Sequence, residues 1–380
     1  GDRDNDGILD AEDRDEYGVL KVDMDGDGLI DIDSLDKLNA MRFQLQGVGL
    51  QLTDASEVEL SGCPFIIQQG TYQQRCSGYE LIQDLDFDTN ADGVIDENDD
   101  YWNENPEGIG EGWLPVGSIE EEDGSFNAHF NGNGRVIKNL NINRPETESV
   151  GLFGAVEHSY IENVIITGSL GQIVGSEYVA ALIGFSGFNN TIINTSVTAS
   201  VQGLSSVGGL IGFAFLPVRV EDIFVSGNVA GSSNVGGFVG DAYWGDRKGN
   251  KPPGLINNIV SSSIVSGEEY VGGLVGWIPS ETIIRNSYWA IDTSTQLESA
   301  GSSEADSYFG LTLAKLQCAI AENTDFTTGC VSEGGLDEGF DVPNAEGAII
   351  VSGSATIRQR IQRMGRVLRK TAKKDRAKIY

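Results

Sequence analysis

The chain has 380 residues, a formal net charge of −32 and 50 glycines, roughly twice the usual glycine share of about 7%. That acidity argues against nucleic acid as the partner of the main body and favours cations. No apolar run reaches the roughly 20 residues that a membrane span needs, and the length suits one extended or two compact domains. The chain opens at Gly1 without Met or a signal peptide, as a mature form or an excised piece would.

Residues 1–34 are expected to be acidic calcium-binding repeats. DRDNDGILDAED places Asp2, Asp4 and Asp6, then Gly7, the Ile8 carbonyl, Asp10 and Asp13 at the 1-3-5-7-9-12 spacing of a calcium loop. In such a loop alternate oxygens converge on one hard cation, and the glycine permits the sharp turn. A second copy has Asp23, Asp25, Asp27, Gly28, Leu29 and Asp31, but Ser34 stands twelfth, where Asp33 is the available substitute. A third reads Asp88, Asn90, Asp92, Gly93, Val94, Asp96 and Asp99. The alternative is a solvated acidic linker, which would not reproduce the glycine register. These loops resemble the aspartate-rich repeats of thrombospondin type 3 and dockerin-like modules, and the cofactor implied is Ca2+.

Residues 35–125 are read as an N-terminal cap that contains the third loop. Ser34 is placed to cap a short helix in SLDKLNAMRFQL, with Leu35, Leu38 and Met41 on one face. The four cysteines form two local pairs, Cys63/Cys76 and Cys318/Cys330. An even count in an acidic, calcium-motif chain favours disulfides and an oxidising compartment. Each would close a loop of about 12–15 residues, worth roughly 3 kcal/mol in the chain-entropy model. Buried free thiols or a zinc site are the alternatives, but there is no CxxC, and His129 and His158 are the only histidines.

Residues 126–292 carry a repeat. VGLFG at Val150, VAALIG at Val179, VGGLIG at Val207, VGGFVG at Val235 and VGGLVG at Val271 recur at intervals of 29, 28, 28 and 36 residues. The last interval is lengthened by a polar insert from about Tyr243 to Pro253. A second motif, an apolar residue two positions before Asn or Asp, follows each copy: Ile161/Asn163, Ile192/Asn194, Val220/Asp222, Ile256/Asn258 and Ile284/Asn286. Ile137/Asn139 is read as an earlier copy. Segments such as NVIITGSL, NTSVTASV and DIFVSGNV are expected to be strands. One repeat then makes one coil of an all-β parallel solenoid, in which each coil supplies the core of its neighbour. Five or six coils would rise roughly 25–30 Å. Thr167, Thr198, Ser226 and Ser262 should stack as a hydroxyl column. These motifs, with the lead-in GYELIQDLDFDTNADGVIDENDDYW and the segment FNGNGRVIKNLNINRP, resemble the GLUG repeat of bacterial extracellular proteins. The resemblance implies a surface or secreted β-solenoid of adhesin-like character and no single activity.

After Trp289 the pattern fades. Residues 293–334 are expected to form a C-terminal cap with the second cysteine pair, GLTLAKLQC being a short helix. Residues 335–380 differ in character: from Glu346 onward ten Lys/Arg face two acidic residues, a net of +8 that leaves −40 for the rest. LDEGFDVP and AIIVSGSATIRQRIQRMGRVLRK resemble the fifth and sixth motifs of superfamily-two helicases, with Gln362, Arg363, Arg366 and Arg369 at the phosphate-reaching positions. There is no GxxxxGK[ST] loop and no acidic magnesium-binding box, so no ATPase is expected, only a basic helix from Ser354 to about Lys373 that could contact nucleic acid non-specifically.

No catalytic constellation emerges: HExxH and GxSxG are absent from the sequence. A polysaccharide lyase on a β-helix would need a basic residue beside calcium, and Lys138, Arg144, Arg219 and Arg285 are the candidates. Trp102, Trp113, Tyr243, Trp244, Tyr288 and Trp289 fit either a sugar-stacking platform or coil-end packing. The sequence therefore reads as a secreted or cell-surface bacterial module, calcium-stabilised and adhesin-like, with cell-surface glycans or proteins as partners. The alternatives are a lyase-like enzyme and a nucleic-acid-associated protein acting through its tail.

Overall fold

The computed structural model describes residues 22–50, 61–62, 65–68, 71–74, 76–103, 110–120, 124–216, 218–244, 255–279, 283–285, 287–302, 309–313, 347–348 and 378–379. The fold is an all-β parallel solenoid. Its long sheet stacks Ile30–Ile32, Gly78–Leu81, His129–Asn131, Tyr160–Glu162, Thr191–Gln202, Arg219–Ala230, Leu255–Ser261, Tyr288–Ala290 and Phe309–Leu311 in that order. Among the described residues nine rungs span about 38 Å at the usual strand spacing of about 4.8 Å. Stacking therefore starts upstream of residue 126 and runs past 292. Gly310 and Leu311, expected to open a short helix, belong instead to the strand Phe309–Leu311, the last rung among the described residues, paired in parallel with Tyr288–Ala290.

Two narrower sheets close the coils of the repeat. One holds Glu177–Val179, Ser205–Gly208, Ser233–Gly236 and Glu269–Gly272; the other holds Phe153–Val156, Ile183–Ser186, Ile211–Leu216, Val239–Trp244 and Val275–Trp277. The five opening valines fall in one register: Val150 on Val179, then Val207, Val235 and Val271. The apolar residues of the second motif do the same from Phe130 through Ile161, Ile192, Val220 and Ile256 to Ile284. The longer last interval leaves this register intact. Ile137 departs from it: it pairs with Ile166 at a different column, and Phe130 takes the place assigned to it.

The periodicity follows from two left-handed corners per coil. Asn163, Asn194, Asp222 and Asn258 have φ of 56, 54, 59 and 62°. Asn and Asp tolerate this conformation because their short polar side chains bond locally. The second corner immediately precedes each opening valine, where Ser149, Tyr178, Ser206, Asn234 and Tyr270 have φ of 52–58°. Between the corners, inward Val, Ile and Leu side chains stack into a continuous buried core. The hydroxyl column appears at its centre, where Thr198 Oγ1 and Ser226 Oγ lie 2.7 Å apart.

At the N-terminal end Ser34 accepts a hydrogen bond from Lys37 N and caps a helix that spans Leu35–Ala40 before tightening to a 3-10 turn, Met41–Phe43. Cys76 is buried and disulfide-bonded. Cys63, Cys318 and Cys330, the tail helix and its residues Gln362, Arg363, Arg366 and Arg369 lie outside the described residues.

Candidate metal loops and the outer faces

The second acidic loop feeds directly into Ile30–Ile32, the first rung, which pairs with Gly78–Leu81. Its carboxylates converge: Asp23, Asp25 and Asp27 each offer an oxygen, and these lie within 4.8 Å of one another. Backbone donors aim them. Asp23 accepts from Gly26 N at 2.8 Å and Gly28 N at 3.0 Å, Asp25 from Asp27 N at 3.3 Å, and Asp27 from Leu29 N at 2.8 Å. Gly26 and Gly28 hold φ of 74 and 96°, the turn that a side chain would resist. Asp31, buried at the ninth position, accepts from Met24 N at 3.0 Å. Burial, with Asp25 and Asp27 adding repulsion, raises the Asp23 carboxyl above its ordinary value despite its two glycine donors. Asp33 is engaged by Lys37 at 2.8 Å, which weakens its claim to the missing twelfth ligand.

The third loop follows Leu85–Asp86 and is closed by its twelfth residue. Asp99, 7% exposed, accepts from Thr89 N at 2.7 Å, Asn90 N at 3.3 Å and Asp96 N at 3.0 Å. Burial raises its carboxyl, but these backbone donors prevail and hold it below the ordinary carboxylate range. Asp88 accepts from Asp92 N and Gly93 N, Asn90 from Asp92 N, and Asp92 from Val94 N. The loop is wound around its own amides, with Gly93 at φ 86°. Among the described residues only Asp23, Asp25 and Asp27 bring three such oxygens together. The first loop (Asp2, Asp4, Asp6, Ile8, Asp10, Asp13) lies outside the described residues.

Three of the four basic residues considered for lyase chemistry are paired with carboxylates at separate places. Lys138 lies 3.9 Å from Asp84, Arg144 3.3 Å from Glu111 and Arg219 2.9 Å from Glu221. Arg144 also donates to the Trp113 and Gly112 carbonyls, a packing role. The Arg285 side chain is outside the described set. His129 Nε2 lies 3.0 Å from Glu162 Oε1 on the outer long sheet, with Tyr160 edge-on at 5.0 Å.

The aromatics differ in their surroundings. Trp113 is fully buried, bonds the Leu152 carbonyl through Nε1 and meets Phe87 edge-on. Trp289 is buried and bonds the Gln296 carbonyl. Both are packing residues. Tyr243, by contrast, is 45% exposed and belongs to a ring array on the five-stranded sheet that the spacing of the Gly-rich motifs did not reveal. Phe185 and Phe213 were the available signal, since each directly follows the last motif glycine in successive repeats.

No family model matches the chain. Over 127 residues it is 30% identical to halomucin of Haloquadratum walsbyi, covering 33% of this chain and 1% of halomucin. Over 144 residues it is 29% identical to a candidate Gly-rich membrane protein of Evansella cellulosilytica, covering 35% of this chain and 14% of that protein. The chain thus spans a small part of either relative. The crystal structure of a candidate immunoglobulin A1 protease from Bacteroides ovatus aligns over 68% of this chain and 74% of its own, with a TM-score of 0.42 and 18% identity.

Proposed function

We propose that this chain is a calcium-stiffened β-solenoid of the GLUG type that serves as an adhesin-like binding module, secreted or held at the bacterial surface. The observation that carries the reading is the convergence of Asp23, Asp25 and Asp27 at the root of the first rung. A cation held there by these carboxylates, the Leu29 carbonyl and Asp31 would neutralise their mutual repulsion. It would also fix the loop that enters the end strand, where a solenoid is otherwise free to fray. Calcium of extracellular abundance suits a site of this charge, and the partial similarity to halomucin and to a Gly-rich membrane protein supports the location. The dispersal of Lys138, Arg144 and Arg219 into separate ion pairs disfavours the lyase alternative.

The test is binding of the full chain to arrays of glycans and surface proteins, in calcium and in chelator. Calcium-dependent capture by a subset of spots is the expected result. Capture by none in calcium would contradict the binding-module reading.

A further inference from the structure

The aromatic array crosses four coils of the five-stranded sheet. Phe185 and Phe213, one coil apart, stack with centroids 5.3 Å apart and planes 2° from parallel. Phe215 sits 4.6 Å from Phe188, and Tyr243 links Phe215 at 5.6 Å to Trp277 at 6.4 Å. Tyr178 packs on Phe213 at 5.1 Å from the neighbouring corner. Tyr243 is exposed and the other rings are half-buried, so the array forms part of the protein's surface.

This surface is acidic. Asp241 takes the ring position between Phe213 and Trp277 in the sheet register. One of its oxygens accepts from Asn234 Nδ2 at 3.0 Å, and the other is sealed among its neighbours without a partner. Glu148 and Glu177 lie close enough to Tyr178 to act on its phenol. From residue 145 to 279 the only described Lys or Arg is Arg219, which is on the long sheet and paired with Glu221. Rings and carboxylates with no Lys or Arg beside them among the described residues are what a cationic group needs: π faces for attraction and anions for the field.

We propose that this face is a docking surface for an extended, arginine-bearing polypeptide segment. The inference deepens the binding-module reading and does not depend on calcium. Extent selects a polymer over a small amine: the array follows the solenoid axis for about 14 Å, three strand spacings, which an extended chain covers in four or five residues. Chemistry selects arginine, whose planar, weakly hydrated guanidinium stacks on aromatic rings where the ammonium of lysine keeps its water.

The test is fluorescence anisotropy of the calcium-saturated full chain with labelled peptides that alternate serine with arginine, lysine or glutamate. A parallel protein with Arg358, Arg360, Arg363, Arg366 and Arg369 changed to serine keeps the chain's own basic segment from masking the face. The arginine peptide should bind about fivefold more tightly than the lysine peptide, matching roughly 1 kcal/mol of added cation–π attraction, and the glutamate peptide should not bind. Tyr243→Ser and Phe213→Leu should each weaken binding about fivefold and Asp241→Asn about threefold, with melting checked in parallel. The exposed Tyr243 serves as the reporter if Phe213→Leu does not fold. Equal binding of arginine and lysine peptides, or variants that bind as well as the parent, would reduce the effect to the general field of an acidic chain and overturn the proposal. Displacement of the peptide by neutral oligosaccharides would overturn it in favour of a sugar site. Array capture that persists without arginine-peptide binding would remove this proposal alone and leave the binding-module reading standing.

Discussion

Gly212 packs so tightly on the main chain of Tyr178, one coil earlier, that a Cβ on it would overlap the Tyr178 carbonyl carbon and lie 2.5 Å from Val179 N. Gly184, Gly240 and Gly276 meet Ser149, Ser206 and Asn234 in the same way. The last glycine of each of the four later motifs is thus the seat for the left-handed corner of the coil before it. Those neighbours are backbone and cannot rotate aside. Gly212→Ala should therefore cost about 3 kcal/mol, the upper range for overpacking, seen as a lowered thermal midpoint with unchanged far-ultraviolet dichroism below it. A midpoint within a degree of the parent would refute this account of the repeat.

The corner asparagines form a ladder with one gap. Asn163 donates to Asn131 at 2.9 Å, Asn194 to Asn163 at 3.1 Å, and Asn258 to Asp222 at 2.6 Å. The Asn194 Oδ1 is buried without a donor, at the rung where Asp222 replaces the amide. Asp222→Asn supplies that donor and should stabilise the protein by about 1 kcal/mol, the net worth of one hydrogen bond. Denaturant midpoints of the two proteins decide the matter, and a lower midpoint for Asp222→Asn would count against the ladder.

Burial pushes the Asp241 carboxyl up to about 6, against a small opposing contribution from Asn234. A carboxyl whose folded value lies above its unfolded value of 3.8 favours the folded state while protonated. That contribution is full below about pH 4 and is lost as pH rises through about 6. Asp241→Asn should therefore be the more stable protein at pH 7 and no more stable at pH 3.5. Melts of both proteins across this range measure the difference, and a pH-independent gap would contradict the assignment.

Asp99 holds three amides of the third loop. Asp99→Ala leaves Thr89, Asn90 and Asp96 N–H without this acceptor and should cost about 2–3 kcal/mol. The sharper readout is hydrogen exchange: protection of the Thr89 amide should be lost while that of core amides such as Ile192 persists at temperatures where the variant stays folded. Retained Thr89 protection would show that the loop closes by other means.

The solenoid was legible because β pairing copies a chemical requirement from coil to coil. Val150, Val179, Val207, Val235 and Val271 repeat in sequence because they stack in space. The second corner was not legible: Ser149, Tyr178, Ser206, Asn234 and Tyr270 share a dihedral angle and no common chemistry. Ile137 was misplaced for a related reason, since a matching pair of residue types is not a register; only the pairing with Ile166 assigns its column. The acidic loops were visible through their glycine register, yet spacing did not distinguish the converging carboxylates of Asp23, Asp25 and Asp27 from a loop wound on its own amides. The aromatic face was obscured because Asp241 interrupts the column of rings.

The most direct test of the central claim is a thermal melt of the non-reduced full chain in calcium and then in excess chelator. Calcium at a hundredfold excess over its dissociation constant adds about 2.7 kcal/mol per occupied site. The midpoint should fall clearly on chelation, and by less when Asp23 and Asp25 are both changed to asparagine. Superimposable melts would leave a β-solenoid whose acidic loops are solvated linkers and would contradict the account.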